Sequence, residues 1–209
     1  NTELTYTIDV TAPVVTITGI GGDTSSPYNI SDTSPLVTAT TDENANCRAS
    51  IDGDETYAGM LDDIDCTGDG GTSHSCQFGT LSESGSTTFY VACNDTGGNS
   101  NSAANNAAAA AEIDASTPTQ SGHSPASGTT IYTTSPTITF SSNENARCRW
   151  SLTDLAYGDM SGSNTCDAGF ATSHSCSASG LTGTSDIVYV ACADDTSVYP
   201  NNDTIASNT

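Results

Sequence analysis

Residues 43–60 read ENANCRASIDGDETYAGM, and residues 144–160 read ENARCRWSLTDLAYGDM. The second stretch repeats the order of charged, cysteine and aromatic positions in the first. Two further motifs recur outside it, TSHSC at 72–76 and 172–176, and FYVACND at 89–95 followed by VYVACAD at 188–194. An ordered repeat of this length predicts two homologous modules in one chain.

The eight cysteines follow the same repeat. They are spaced by 19, 10 and 17 residues in the first copy and by 18, 10 and 16 in the second. Their positions are Cys47, Cys66, Cys76, Cys93, Cys148, Cys166, Cys176 and Cys192. Four cysteines in a module allow three pairings, so the spacing alone leaves the pairing open.

Composition and charge exclude several classes of function. The 209 residues include 25 Asp and Glu but 3 Lys and Arg, none of them lysine, for a formal net charge of −22. Binding nucleic acid or an anionic membrane surface requires basic side chains, so neither is expected. Hydrophobic residues make up 34% of the chain and aromatic residues 6%, whereas Ser and Thr number 63. A core this thin is expected to need disulfides.

The segments between the turn residues are short and rich in β-branched and aromatic residues, as in strands. VVTITGI, PLVTATT, NCRASI, HSCQFGTL and TTFYVAC are the predicted strands of the first copy. TITFSS, RCRWSL, HSCSASGL and DIVYVAC correspond to them in the second. The alanines at 107–111 have helical propensity but no amphipathic pattern, and their place in the repeat predicts a strand. The expected fold is all-β, with two sandwiches of about seven strands at 11–115 and 116–209.

Together these motifs resemble a known family. ENAxCRxS, Tyr-x-x-Met, TSHS and YVACxD, with a closing I-D-x-T-x-P, are similar to the immunoglobulin-like or fibronectin type III-like repeats of bacterial surface proteins and adhesins. Two copies of this pattern together cover essentially the whole chain. It implies tandem immunoglobulin-like β-sandwiches and an extracellular or cell-surface location. It does not specify a function, because such modules serve as spacers, adhesins and filament subunits.

The resemblance also favours one disulfide pairing. In the implied sandwich NCRASI and TTFYVAC lie side by side, which pairs Cys47 with Cys93 and Cys148 with Cys192. The remaining pairs, Cys66–Cys76 and Cys166–Cys176, would each close a loop rich in small polar residues. Metal ligation is the alternative, because His74 and His174 each precede a cysteine by two residues. The closely paired ligands typical of zinc sites are absent from the sequence, so disulfides in an oxidising environment are preferred.

No motif in the sequence predicts catalysis, and we expect no enzyme and no cofactor. The densest acidic cluster, a possible Ca²⁺ site, comprises Asp52, Asp54, Asp62, Asp63 and Asp65. Its spacing does not match an EF-hand and the second copy keeps only part of it, so a solvated acidic loop is the preferred interpretation. Three sequons offer possible glycosylation at Asn29, Asn94 and Asn202.

The two ends of the sequence suggest a function. Residues 1–10 share I-D-x-x-x-P with the end of the first copy, which aligns Leu4, Tyr6 and Ile8 with Ala109, Ala111 and Ile113. Residues 1–10 are therefore expected to be a donor strand that completes a module of a neighbouring subunit. The second copy has no segment resembling TYTID after Cys192, so it is expected to need a strand supplied in trans.

These features predict a structural subunit of an extracellular filament, a head-to-tail homopolymer built by donor-strand complementation. Its partners are copies of itself, with cells or surfaces as further candidates and no membrane insertion. Two alternatives remain. The chain is one two-module period of a longer adhesin or surface stalk, or it is a secreted glycan-binding module. The last would need clustered exposed aromatics, and Trp150 is the only tryptophan.

Overall fold

The computed structural model describes residues 2–60, 63–83, 85–183 and 185–194, and within these ranges the protein is all-β. The described residues form eleven strands and one 3-10 turn, with no α-helix. No helix among them is long and apolar enough to cross a membrane. The chain divides into two compact units, Asn1–Asp114 and Ala115–Thr209.

The first unit is built around one sheet. Its central path runs β1-β3-β6-β7-β2, and β4 and β5 both pair with β3. The strands are β1 (Val15–Ile20), β2 (Tyr28–Ile30), β3 (Leu36–Ser50), β4 (Ile64–Asp65), β5 (Gly71–Gln77), β6 (Gly85–Asp95) and β7 (Ala107–Ile113).

Strand β3 joins two regions that the sequence predicted as separate strands, PLVTATT and NCRASI. Its first part pairs with β1 and β5, and its second part, from Ala45 to Ser50, pairs with β6. The β3–β5 register shifts between Thr40 and Ala45. Such an irregularity bends a strand without breaking it. No Gly or Pro interrupts the residues between the two regions, and one strand of fifteen residues replaces the expected pair.

Strand β7 closes the first unit and confirms that the alanine run at 107–111 is a strand. It pairs antiparallel with β6 on one side and parallel with β2 on the other. Its alternate residues Ala111 and Ile113 are buried, whereas Ala108, Ala110 and Glu112 are exposed. Ile113 lies opposite Gly85 of β6 and Ile30 of β2. The strand therefore fills a slot between two neighbours and covers the core with one face.

The core of the first unit is small but covalently tied. The rings of Phe78 and Phe89 meet edge to face with centroids 5.0 Å apart. The disulfide Cys47–Cys93 joins β3 to β6, and Cys66–Cys76 closes the loop before β5. That loop contains Gly68 at φ +101°, where a Cβ atom would lie 2.1 Å from a backbone oxygen, so only glycine fits there.

The second unit contains four strands in its described part, in the order β10-β9-β11 with β8 also paired to β9. Its disulfides are Cys148–Cys192 and Cys166–Cys176. All four disulfides are thus the pairs that the sequence analysis put first. The strands are β8 (Gln120–Ser124), β9 (Thr137–Ser151), β10 (Ala171–Ser177) and β11 (Tyr189–Asp194), and the 3-10 turn is Tyr157–Asp159.

The second core is packed differently from the first. Phe140 is stacked between His123 and His174, with ring centroids 5.0 and 4.9 Å away. Trp150 occupies the position of Ala49 in the repeat and is buried, with 6% of its surface exposed. It lies opposite Val190 of β11. The single tryptophan therefore reports on the interior of the second unit.

Candidate functional site

Residues 2–10 present apolar side chains to solvent at alternate positions. Leu4, Tyr6 and Ile8 are 68%, 78% and 81% exposed, and Val10 is also exposed. The segment forms no strand pairing within its own unit. Alternate apolar residues are the pattern of a strand with one buried face. Yet this face has no core to cover in the described structure.

The second unit has a strand edge of the kind that such a segment covers. In the first unit β6 lies between β3 and β7. Strand β11, which carries the repeated YVAC motif of β6, pairs with β9 alone among the residues that the structure describes. Ile187, just before β11, is 63% exposed, and Val188 is only half-buried. The Val190 carbonyl of β11 accepts a bond from the Gln120 side chain at 3.1 Å, so the exposed feature here is the apolar stretch just before β11.

Three carboxylates converge in the first unit. Asp9, Glu43 and Asp95 each offer an oxygen, and these atoms lie within 4.8 Å of one another. Asp9 lies within the exposed segment, Glu43 belongs to β3, and Asp95 ends β6, so the repeated motifs I-D, E-N-A and A-C-x-D meet here. Oxygen ligands at this separation can hold a divalent cation such as Ca²⁺.

Asn99 organises this acidic cluster. Its backbone N–H and its Nδ2 donate to Asp95 at 2.8 and 2.7 Å, and Nδ2 also donates to the Asp9 carbonyl at 3.3 Å. These bonds hold the pKa of Asp95 below its usual value. The pKa of Asp9 is also lowered, chiefly by bonds from Thr11. The pKa of Glu43 is raised, first by burial and then by repulsion from Asp9 and Asp95.

The second unit repeats part of this arrangement. Glu144 and Asp194 correspond to Glu43 and Asp95 in the repeat, and their carboxylate oxygens lie within 4.8 Å of each other. Asp114 corresponds to Asp9 in sequence through the shared I-D-x-x-x-P. The three acidic positions therefore belong to the repeat itself.

The acidic residues singled out from the sequence have other partners. Asp65 accepts a bond from Arg48 Nε at 2.9 Å, and Asp54 accepts one from Asn106 Nδ2 at 2.6 Å. Asp52 and Asp63 belong to neither group of converging carboxylates found in the described residues. Asp62 lies outside those residues. The converging groups were missed because density along the sequence, rather than the repeat, guided the choice.

A buried hydroxyl–histidine contact recurs in both units. Thr41 Oγ1 and His74 Nε2 are 3.1 Å apart, and Ser142 Oγ and His174 Nε2 are 2.8 Å apart. His174 Nδ1 also bonds to Asp167 at 2.5 Å, which gives the outline of a Ser-His-Asp triad. However, Ser142 and His174 are both buried, and Ser142 Oγ also lies 2.6 Å from the Glu144 carbonyl, so the hydroxyl is held inside the unit and does not face solvent.

The remaining predicted residues are placed as follows. Asn29 is half-buried in β2 and its Nδ2 donates to the Pro27 carbonyl, whereas Asn94 lies in β6 and accepts a bond from Ser100. Asn202 lies outside the described residues.

The rings of Tyr57, Phe170 and Tyr157 stack under the guanidinium groups of Arg48, Arg147 and Arg149, the only basic side chains besides histidine in the sequence.

Comparisons with known proteins give little guidance. No protein-family model and no curated protein matches the chain. Among solved structures, a titin structure is similar at 12% identity, covering 84% of this chain and 91% of that chain, with a TM-score of 0.28. A score this low supports no argument about fold or function.

Proposed function

We propose that the protein is a structural subunit of an extracellular filament in which residues 2–8 of one copy complete the second unit of the next. The proposal includes two tandem immunoglobulin-like sandwiches, at 11–115 and 116–209, with residues 1–10 as the donor segment. One observation carries it. The exposed side chains of Leu4, Tyr6 and Ile8 align in the repeat with positions that β7 packs against the core of the first unit.

The energetics of such an exchange are favourable. Moving a large apolar side chain out of water contributes about 1.5–3 kcal/mol, and the donor segment has three of them. The main-chain groups of an added strand pair with the edge they meet, which by the repeat is the stretch that leads into β11. These gains must exceed the cost of ordering the segment and bringing two chains together. Burial of three apolar side chains, together with the main-chain hydrogen bonds of an added strand, can exceed this cost.

The geometry of the exchange favours a linear polymer. The donor segment and the acceptor surface belong to different units of one chain, so each copy can give a strand from one unit and receive a strand in the other. Such a heterologous contact generates filaments when its rotation does not close a ring. The four disulfides fit an extracellular setting and stiffen thin modules that would otherwise have little core.

An alternative source of the strand is the following module of the same, longer polypeptide, as in a tandem-repeat stalk. Both arrangements place the same strand against β11, so they differ only in covalent connectivity. Denaturing, non-reducing mass analysis of the native material separates them. A filament of exchanged strands dissociates to chains near 21.2 kDa plus any glycan. A stalk gives a single chain several times heavier.

A matched pair of full-length variants tests the assembly mechanism. The inward variant carries Leu4→Ser, Tyr6→Ser and Ile8→Ser, and the outward variant carries Glu3→Gln, Thr5→Ser and Thr7→Ser. Electron microscopy and sedimentation should show that the wild type and the outward variant polymerise, whereas the inward variant stays monomeric. Filaments of normal length from the inward variant would overturn the proposal.

A further inference from the structure

We propose that residues 9–14 are a rigid arm that fixes the direction in which residues 2–8 leave the first unit. The arm joins the exposed apolar segment to β1, and side chains of its own unit bind its backbone at three points. This inference rests on the proposed function and deepens it, because a donor segment held at a fixed angle makes the junction between two copies stiff. A flexible tether at the same place would let successive copies swing.

The end of the arm next to β1 is bound to β3. The Val14 N–H donates to Asp42 Oδ1 at 2.7 Å, and the Asp42 N–H donates back to the Val14 carbonyl at 3.3 Å. Pro13, one residue earlier, is fully buried. Its ring fixes the backbone φ angle near about −65°. A buried proline beside a reciprocal pair of hydrogen bonds leaves this end of the arm few conformations.

The loop that follows β6 binds the arm at the other two points. Asn101 is buried, and its Nδ2 donates to the Pro13 carbonyl at 2.9 Å. Asn101 Oδ1 accepts a bond from the Cys93 N–H at 2.7 Å, so this side chain links the arm to β6. At the start of the arm, Asn99 Nδ2 donates to the Asp9 carbonyl at 3.3 Å. The arm is therefore held at both ends.

Side-chain bonds within the arm order the stretch between these points. The Asp9 carboxylate accepts hydrogen bonds from the Thr11 N–H at 3.0 Å and from the Thr11 hydroxyl at 2.8 Å. An aspartate that bonds the backbone two residues further on forms a local turn. The arm contains no glycine, so it lacks the backbone freedom of a flexible linker. Its own sequence thus favours the path that the anchor points hold.

The second unit binds the segment before it in the same way. Thr119 corresponds to Val14 through the shared I-D-x-x-x-P, and Asn143 of β9 corresponds to Asp42. The Thr119 N–H donates to Asn143 Oδ1 at 2.6 Å, and the Asn143 N–H donates to the Thr119 carbonyl at 3.1 Å. The side chain differs between the two copies but accepts the same bond. Docking of the preceding segment is therefore a feature of the repeat.

A rigid arm has two consequences for residues 2–8. Ile8 directly precedes Asp9, so the donor segment starts from a point that is bound to the first unit. Fewer orientations are then open to the segment before it binds, which lowers the entropic cost of association. In a polymer the same bonds transmit the direction of one copy to the next.

NMR relaxation of the full-length inward variant tests the arm without requiring assembly. We expect backbone order parameters of about 0.85 for residues 10–14, as in the strands of the first unit. Values below about 0.6 would overturn the rigid arm, whether or not the wild type polymerises. High values in the arm of a wild type that forms no filaments would overturn the proposed function instead.

A matched pair of variants tests the role of the arm in the filament. The arm variant carries Asp42→Ala and Asn99→Ala. The control variant carries Asp32→Ala and Asn105→Ala, which removes the same side-chain types from exposed positions where they bond backbone N–H groups outside the arm. Hydrogen exchange over β6 verifies that the first unit remains folded in both.

Electron microscopy of the assembled variants gives the filament persistence length. We expect the arm variant to form filaments whose persistence length is reduced about twofold or more, and the control variant to match the wild type. Equal persistence lengths for the two variants would overturn the role of the arm while leaving strand exchange intact.

Discussion

Ile30 and Ile113 are register partners in the parallel ladder between β2 and β7, and both side chains are buried. Their contact joins the first and last parts of the first unit, which are far apart in sequence. Strand β7 is otherwise mostly alanine, so Ile113 is its largest apolar contribution. The pair therefore contributes much of the apolar contact between β2 and β7.

Truncating this pair should destabilise the first unit selectively. Ile113→Ala removes a buried side chain and should cost about 2–5 kcal/mol of unfolding free energy. Hydrogen exchange over β6 measures the loss in the first unit. Trp150 fluorescence during guanidinium unfolding follows the second unit, which should be unchanged. Tyr132→Ala is the exposed control, expected within about 0.5 kcal/mol of wild type. An effect of Ile113→Ala below that limit would contradict the assigned role.

The two kinds of disulfide should differ in their effect on stability. Cys47–Cys93 spans 46 residues and Cys66–Cys76 spans 10. Loop-closure entropy assigns about 4 kcal/mol to the longer link and about 2.7 kcal/mol to the shorter. Replacing each pair by alanine and measuring hydrogen exchange in the first unit should reproduce this order. A larger loss from the short link would mean that strain or packing, rather than chain entropy, dominates.

Within the acidic cluster, the ionised Glu43 side chain should destabilise the folded first unit at neutral pH. Because the pKa of Glu43 is raised by burial and by Asp9 and Asp95, the folded unit binds its proton more tightly than the unfolded chain does. Its stabilising contribution is therefore present at low pH and lost as the pH rises through the folded-state pKa. Glu43→Gln should raise the Tm of the first unit at pH 7, measured with a chelator present.

Asp95→Asn is the control for this cluster. The pKa of Asp95 is lowered by bonds that Asn99 donates to it, so its carboxylate stabilises the folded unit above the ordinary pKa. This substitution should lower the Tm at pH 7. An increase in Tm for Asp95→Asn, or a decrease for Glu43→Gln, would contradict the charge balance described above.

The pKa of His74 should lie below the ordinary histidine value, and a carboxylate introduced beside the ring should raise it. Burial lowers the pKa of His74, partly opposed by Asp69. Its contribution to stability is present above about pH 6.5 and is lost as the pH falls. Thr67 holds the repeat position of Asp167, which bonds to His174. Thr67→Asp should therefore raise the NMR titration midpoint of His74, and Thr67→Ser should not. An unchanged midpoint in Thr67→Asp would be the contrary result.

The sequence allowed much of this structure to be predicted, because the repeat places equivalent residues in equivalent strands. It indicated the all-β class and the alanine strand β7, whereas the disulfide pairing was implied by the resemblance to tandem sandwiches. Strand β2 was missed because three residues, YNI, carry no periodic signal. The convergence of Asp9, Glu43 and Asp95 was missed because it depends on the long bent path of β3. Their common position in repeated motifs was the available signal.

The most direct test of the account is a helical reconstruction of the assembled protein at side-chain resolution. The account predicts that residues 2–8 of one copy form a strand against β11 of the next, with Leu4, Tyr6 and Ile8 turned toward its core. A reconstruction in which residues 2–8 remain solvent-exposed and copies meet through other surfaces would contradict donor-strand assembly.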